Sequence, residues 1–160
     1  MSAITTRLAT ANDVEAIAAV TRQAYAKWVA VIGREPLPMR VDYAEAVGKH
    51  RFDLLHVDDD LAALIETTPD EDHLLIVNLA VAPAFQGRGL GVRLLKAAED
   101  LAEASGLKGT RLYTNARFAE NLRLYAALGY RIDREEALNG GVAVYMSKAL
   151  SSPSPSGSAF

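Results

Sequence analysis

The chain has 160 residues, half of them hydrophobic, with 17 Lys and Arg against 20 Asp and Glu and no cysteine. That length fits one domain that buries its core without disulfide or metal staples, and the missing thiol excludes thiolate zinc sites and acyl-cysteine chemistry. Scattered basic residues on a net acidic chain argue against a nucleic-acid partner, and no apolar run reaches membrane-spanning length.

In chain order, AITTRL alternates as a strand does, and Thr10 is placed to cap a helix running through ANDVEAIAAVTRQAYAKWVAVIG. Val14, Ile17, Thr21, Tyr25, Trp28 and Ile32 fall near one face of it. GREPLPMR breaks the pattern, a short helix follows around VDYAEAVGKH, and FDLLHV and LAALIET flank DDD as a hairpin. DHLLIVNLAV is the longest apolar run and reads as a central, buried strand. After three glycines, Val92, Leu95, Ala98, Leu101 and Ala102 repeat at helical spacing as far as Gly106. GTRLYTN is a strand, FAENLRLYAALGY a short helix stopped at Gly129, and YRIDREEAL and GVAVYMSKAL a hairpin joined through NGG.

These elements predict an α/β fold, a mixed sheet of about seven strands flanked by about four helices. Strands joined through helices are expected to run parallel, and hairpins to make the rest antiparallel. Residues 1–150 read as a single domain, and SSPSPSGSAF, residues 151–160, as a disordered tail. The opening MSAITTRLAT has no signal-peptide form, so the expected setting is cytoplasmic, without a membrane partner.

Gln86-Gly87-Arg88-Gly89-Leu90-Gly91 lies between the buried strand and the next helix. A helix N-terminus offers free N–H groups and partial positive charge, and glycine lets backbone approach an anion without Cβ obstruction. The dinucleotide fingerprint G-x-G-x-x-G fails, because Val92 and Leu94 stand where its third glycine belongs. The G-x-x-x-x-G-K-S/T phosphate loop has no match.

The pattern Gln/Arg-x-x-Gly-x-Gly/Ala behind NLAVAP does match, and it resembles the acyl-CoA loop of the GNAT-type N-acetyltransferases. LYTNARFAENLRLYAALGY resembles that family's second segment, a strand, an Asn-containing turn and a short helix ending in Leu-Tyr-x-x-x-Gly-Tyr/Phe. The resemblance covers residues 3 to 149. It implies that backbone N–H groups of Gly87, Arg88, Gly89, Leu90, Gly91 and Val92, behind Gln86, bind the pyrophosphate of acetyl-CoA, the co-substrate. Main-chain groups of Leu79, Ala80 and Val81 would pair with the pantetheine arm, Asn121 and more weakly Asn115 would hydrogen-bond it, and Tyr125 would stand by the thioester sulfur. Asn121 and Tyr125, four residues apart, share one helix face.

The implied reaction is direct transfer of acetyl to a primary amine, on a small molecule or an exposed amino group, in a ternary complex. An alkylamine with a pKa near 10.4 is about one part in a thousand nucleophilic at neutral pH, and a departing thiolate gains from a proton donor. Neutral Tyr125 suits the second task. For the first, many family members carry a Glu on the central strand, where this chain has Val77. Asp72, His73, Glu66 and Asp42 are nearby substitutes, and the base stays unassigned at this level. The same departure supports an alternative, a non-catalytic acyl-CoA-binding module. Homodimerisation is frequent in the family; no metal is expected, since His50, His56 and His73 lack ligand spacing. Acceptor specificity is sought in GREPLPMRVDY, although Tyr25 and Trp28 on the preceding helix are read as core rather than ligand-facing residues.

Overall fold

A computed structural model describes residues 2–138 and 140–150. Among them are seven strands, β1 (Ile4–Leu8), β2 (Arg51–Val57), β3 (Asp60–Asp70), β4 (His73–Val81), β5 (Gly109–Asn115), β6 (Arg131–Leu138) and β7 (Gly141–Ala149). Four α-helices intervene, α1 (Val14–Ile32), α2 (Tyr43–Lys49), α3 (Leu90–Ala104) and α4 (Ala119–Ala127). The sheet is mixed, in the order β1-β2-β3-β4-β5-β7-β6. Its predicted tail, residues 151–160, and Asn139 of the NGG turn lie outside the described residues. The chain divides into two compact units, one of residues up to Thr68 with Ile76–Lys96, the other of Pro69–Leu75 with the residues from Ala97 on.

In the first unit, Thr10 caps as predicted. Its hydroxyl accepts from Asn12 N–H, and Asp13 reaches back to the Thr10 N–H at 2.7 Å, which makes a capping box. Asp13 also holds Arg7 at 2.7 Å, and that hydrogen bond keeps its carboxyl well below the usual range. A single 3-10 turn, Ala11–Asp13, precedes α1. The helix buries Ile17, Val20, Thr21, Ala24 and Trp28, a stripe of 3.6 period, and ends at Gly33 in the left-handed conformation with φ 75°. Asp42 caps α2 through bonds to Ala44 and Glu45 N–H, so this candidate base is a helix cap.

β1 and β2 pair antiparallel, Ile4 opposite Val57, although helices connect them. This corrects the parallel expectation. One crossover helix returns the chain to the end where it started, but a second, α2, reverses it once more. The DDD segment closes the β2–β3 hairpin as predicted, with Asp58 at φ 55°.

In the second unit, β4 and β5 pair in parallel through His73–Leu75 and Gly109–Arg111, as expected for strands joined by one helix. β5 and β6 each pair antiparallel with β7. β6 ends the sheet order and is exposed along its whole length, with Ile132 55% exposed. Ion pairs two residues apart, Arg131–Asp133 and Arg134–Glu136, run along it.

The stripe expected on α3 needs one correction. Leu90, Leu94, Leu95, Ala98 and Ala102 are its buried residues, whereas Val92 is 36% exposed. Counting in threes from Val92 drifts around a helix that turns every 3.6 residues. No helix of the described residues is long and apolar enough to cross a membrane.

Candidate active site

The glycine loop belongs to the first unit. β4 ends at Val81, a 3-10 turn over Pro83–Phe85 follows, and the Gln86 amide folds back to donate to the Val81 carbonyl at 3.1 Å. Gly87 and Gly89 then adopt φ 81° and 74°, a region that costs residues with a Cβ about 1–2 kcal/mol. The first amide bonded within the helix is Arg93, to the Gly89 carbonyl at 3.1 Å. The N–H groups of Leu90, Gly91 and Val92 therefore precede the helical ladder and carry the positive end of its dipole. A Cβ on Gly91 would meet only Val81 Cγ2 at 3.5 Å and Leu79 Cδ2 at 4.0 Å, so that glycine is not required by packing. Arg88 lies over the Phe85 ring at 5.2 Å, and Val92 presents its side chain to solvent.

β4 has alternating burial: Leu74, Ile76, Asn78 and Ala80 are buried, and Val77, Leu79 and Val81 are half-buried. Its parallel ladder with β5 covers His73–Leu75, and Leu79, Ala80 and Val81 lie further along the strand, in the first unit.

The buried face of the same strand holds a polar network. Asn78 Nδ2 donates to Thr21 Oγ1 at 3.2 Å and to Tyr43 Oη at 3.3 Å, while Tyr25 Oη donates to Asn78 Oδ1 at 3.1 Å. Tyr25 Oη also stands 3.5 Å from the Leu79 carbonyl. Tyr43 Oη donates to the Pro38 carbonyl at 2.7 Å, which ties the link between α1 and α2 to the sheet. Burial pushes the Tyr43 phenol up to about 12. Nearby, Glu66 on β3 is 2% exposed and its Oε2 lies 2.6 Å from His50 Nδ1. Burial raises its pKa, partly offset by the imidazole. Sequence reading did not find this network. Its one visible signal is Asn78, an amide on the buried phase of an otherwise apolar strand.

The second unit places the other candidates. Asn121 and Tyr125 share α4, and the Asn121 side chain is half-buried with no hydrogen bond to any described residue. Asn115 ends β5, where its Oδ1 accepts from Arg117 N–H at 2.9 Å, so its side chain already serves the turn. Tyr125 is 8% exposed and meets Tyr130 edge-on, ring centroids 5.7 Å apart. Its hydroxyl bonds no described residue, and burial pushes its pKa up to about 12. Helix α4 stops as predicted at Gly129, φ 97°, with Tyr130 N–H bonded to the Tyr125 carbonyl.

Tyr130 is fixed by its own hydroxyl, 2.7 Å from Thr110 Oγ1 and 3.2 Å from Glu99 Oε2, and Lys148 Nζ holds the other Glu99 oxygen at 3.0 Å. Removing that hydroxyl strands a Thr110 that is wholly buried. Tyr130→Phe is expected to destabilise the protein by about 1–3 kcal/mol in denaturant titration while keeping the ring contact to Tyr125. Asp72 and His73 join Arg111 and Lys108 in a separate ion cluster. The His73 hydrogen bond lowers the Asp72 pKa, which makes Asp72 a poor base.

A strand–glycine loop–helix that exposes amides, followed by a strand, a turn and a helix carrying a buried phenol, defines an acyl-CoA-type transferase fold. The model of the Acetyltransferase (GNAT) family matches residues 18–130, and the chain belongs to that family.

Over 76 residues the chain is 38% identical to the [Ribosomal protein bS18]-alanine N-acetyltransferase of Salmonella typhimurium. That match takes in 48% of this chain and spans about half, 51%, of the relative's length. Among solved structures, the PaiA N-acetyltransferase of Thermoplasma acidophilum in complex with coenzyme A superposes with a TM-score of 0.79 at 20% identity, covering 92% of this chain and 99% of that one. The ribosomal-protein-S18-alanine N-acetyltransferase of Escherichia coli gives 0.77 at 22% identity, covering 99% and 100%. At those identities the superpositions speak for the fold alone.

Proposed function

We propose that the protein transfers acetyl from acetyl-CoA directly to a primary amine, and that the amino group of a polypeptide chain is the first acceptor class to test. The observation that carries the donor half is the Gln86–Val92 loop: two left-handed glycines and three amides ahead of the first helical bond, directly after β4. Pyrophosphate suits such amides, and an elongated amide-bearing arm suits a strand edge. Gln86 closes the loop onto β4, whose residues Leu79, Ala80 and Val81 are the proposed partners of that arm. The amino-terminal acceptor rests on the similarity to the alanine N-acetyltransferase of Salmonella typhimurium, over half of its length. Asn121, and less so Asn115, remain proposed donor-side contacts. Tyr125 is the proposed proton donor to the departing thiolate.

The test is a thermal-shift series with acetyl-CoA and longer acyl-CoAs, followed by thiol release with an Ala-initiated peptide, an Nα-blocked lysine and spermidine. Saturating acetyl-CoA should raise the Tm, and at least one amine should drive CoA release. A shift without release from any amine would favour the second reading, a binding module, which Val77 on β4 keeps open.

The loop glycines separate in the same assay. Gly89→Ala forces a Cβ into a positive φ and should raise the acetyl-CoA KM about tenfold. Gly91→Ala adds only ordinary contacts within a helix and should leave stability equal or improved by up to about 1 kcal/mol.

A further inference from the structure

Position 77 carries a valine, so β4 supplies no carboxylate there to take a proton from an amine. A hydrogen-bonded group of polar side chains in the first unit lies at the other phase of the same strand. Thr21, Tyr25, Tyr43 and Asn78 connect through hydrogen bonds of 3.1–3.3 Å, and Tyr25 Oη reaches the Leu79 carbonyl, on the segment assigned above to the acyl donor. β3 neighbours β4 in the sheet, with Ala82 N–H bonded to the Ala62 carbonyl at 2.8 Å, so Glu66 lies on the strand next to that of Asn78, and its charge acts on Tyr43. The only hydrogen-bond partner of Glu66 among the described residues is His50, whose side chain is 29% exposed. A carboxylate buried to 2% is costly unless it is paired, and here the pair has one dry end and one wet end.

We propose that the Glu66–His50 pair is the proton acceptor for the incoming amine, with Glu66 the buried base and His50 its outlet to solvent. This rests on the acetyltransferase reading. The ammonium gives one proton to the Glu66 carboxylate, and the freed lone pair forms the C–N bond at the thioester carbon. The C–S bond then breaks, sulfur leaves as thiolate, and the second N–H proton of the adduct ends on sulfur to give the free thiol. One net proton leaves through His50. The carboxylate's hydrogen-bond partner is His50, and its charge also acts on the Tyr43 phenol of α2. Burial raises the Glu66 pKa, and the His50 hydrogen bond offsets part of that rise.

Glu66→Gln keeps a hydrogen-bonding partner for His50 and removes the charge. Thiol release is followed from about pH 6 to about pH 10, with the most active of the three amines above, for the wild type, Glu66→Gln and His50→Gln. Glu66→Gln should lose about tenfold or more of kcat/KM near neutrality and recover toward the wild type as pH approaches the amine's own pKa. His50→Gln should show a smaller loss over the same range, and acetyl-CoA should shift the Tm of all three proteins equally. A Glu66→Gln profile parallel to the wild type, with either no loss or the same loss at every pH, would overturn the assignment and leave the acetyltransferase reading standing. Wild-type protein that releases no thiol with any of the three amines defeats both.

Discussion

Tyr125→Phe is expected to lower the rate of amine-dependent CoA release by about a hundredfold or more while acetyl-CoA still raises the Tm. The phenol is a donor held in reserve. Burial moves its pKa up to about 12, so it stays protonated throughout the neutral range and can release a proton only to a strong base. A thiolate of pKa near 8.5 does not fully deprotonate it, and much of its effect comes from a hydrogen bond that strengthens as charge develops on sulfur. The same shift fixes the pH dependence of stability. Unfolded tyrosine ionises near 10 and the folded one near 12, so the folded state binds the proton more tightly. Its stabilising contribution is complete below the lower value and is lost as pH rises toward the higher. The hydroxyl bonds no described residue, and the contact with Tyr130 is made by the ring. Tyr125→Phe should therefore melt at or above the wild-type temperature, and a large drop in Tm with the lost rate would point to a packing role instead.

The largest loss of stability is expected at Gly109. A Cβ built there lies 2.3 Å from the Lys148 carbonyl oxygen and 3.3 Å from the Ala149 Cα. Both obstacles are backbone, and both belong to β7, which Gly109 faces in the ladder. The neighbours leave little slack: Lys108 N–H is bonded to the Asp72 carbonyl at 2.8 Å, and the Lys108 carbonyl accepts from Leu150 at 3.0 Å. Gly109→Ala must displace main chain held on both sides, and about 3 kcal/mol or more of destabilisation is expected in denaturant titration. Gly48→Ala is the matched control. Its Cβ meets nothing within 4 Å inside α2, so the added methyl should stabilise by about 0.5–1 kcal/mol. Equal effects from the two substitutions would remove the steric account.

Most elements were legible because their signals are local. The Thr10 cap, the left-handed stops at Gly33 and Gly129, the Asp58 turn and the strand alternation each act within a few residues. The strand–glycine loop–helix and the shared α4 position of Asn121 and Tyr125 were legible because glycine spacing and a helix face are written in sequence order. Contacts between distant segments were not. Nothing local tells β1 and β2 to run antiparallel, since that depends on the number of reversals between them. Glu66 and His50 are 16 residues apart and meet only when β2 and β3 fold together, so Glu66 stood level with Asp42 and Asp72 as a candidate. The structure separates them, one buried and paired with an imidazole, one capping a helix, one in an exposed ion cluster. The anchoring role of Tyr130 was not legible because its hydroxyl bonds lead to Thr110 and Glu99, on other elements.

The alternating charges of β6 bear on what the protein does at high concentration. A strand at the end of the sheet order, unpaired on one flank among the described residues, is a template on which another chain's backbone can add, and Ile132 in the open would make that addition adhesive. Arg131–Asp133 and Arg134–Glu136 bracket that residue and extend beyond it, so any strand docking there must strip water from two ion pairs. The strand thus carries its own guard against edge-to-edge stacking, and its many charges serve colloidal solubility where they add nothing to the core.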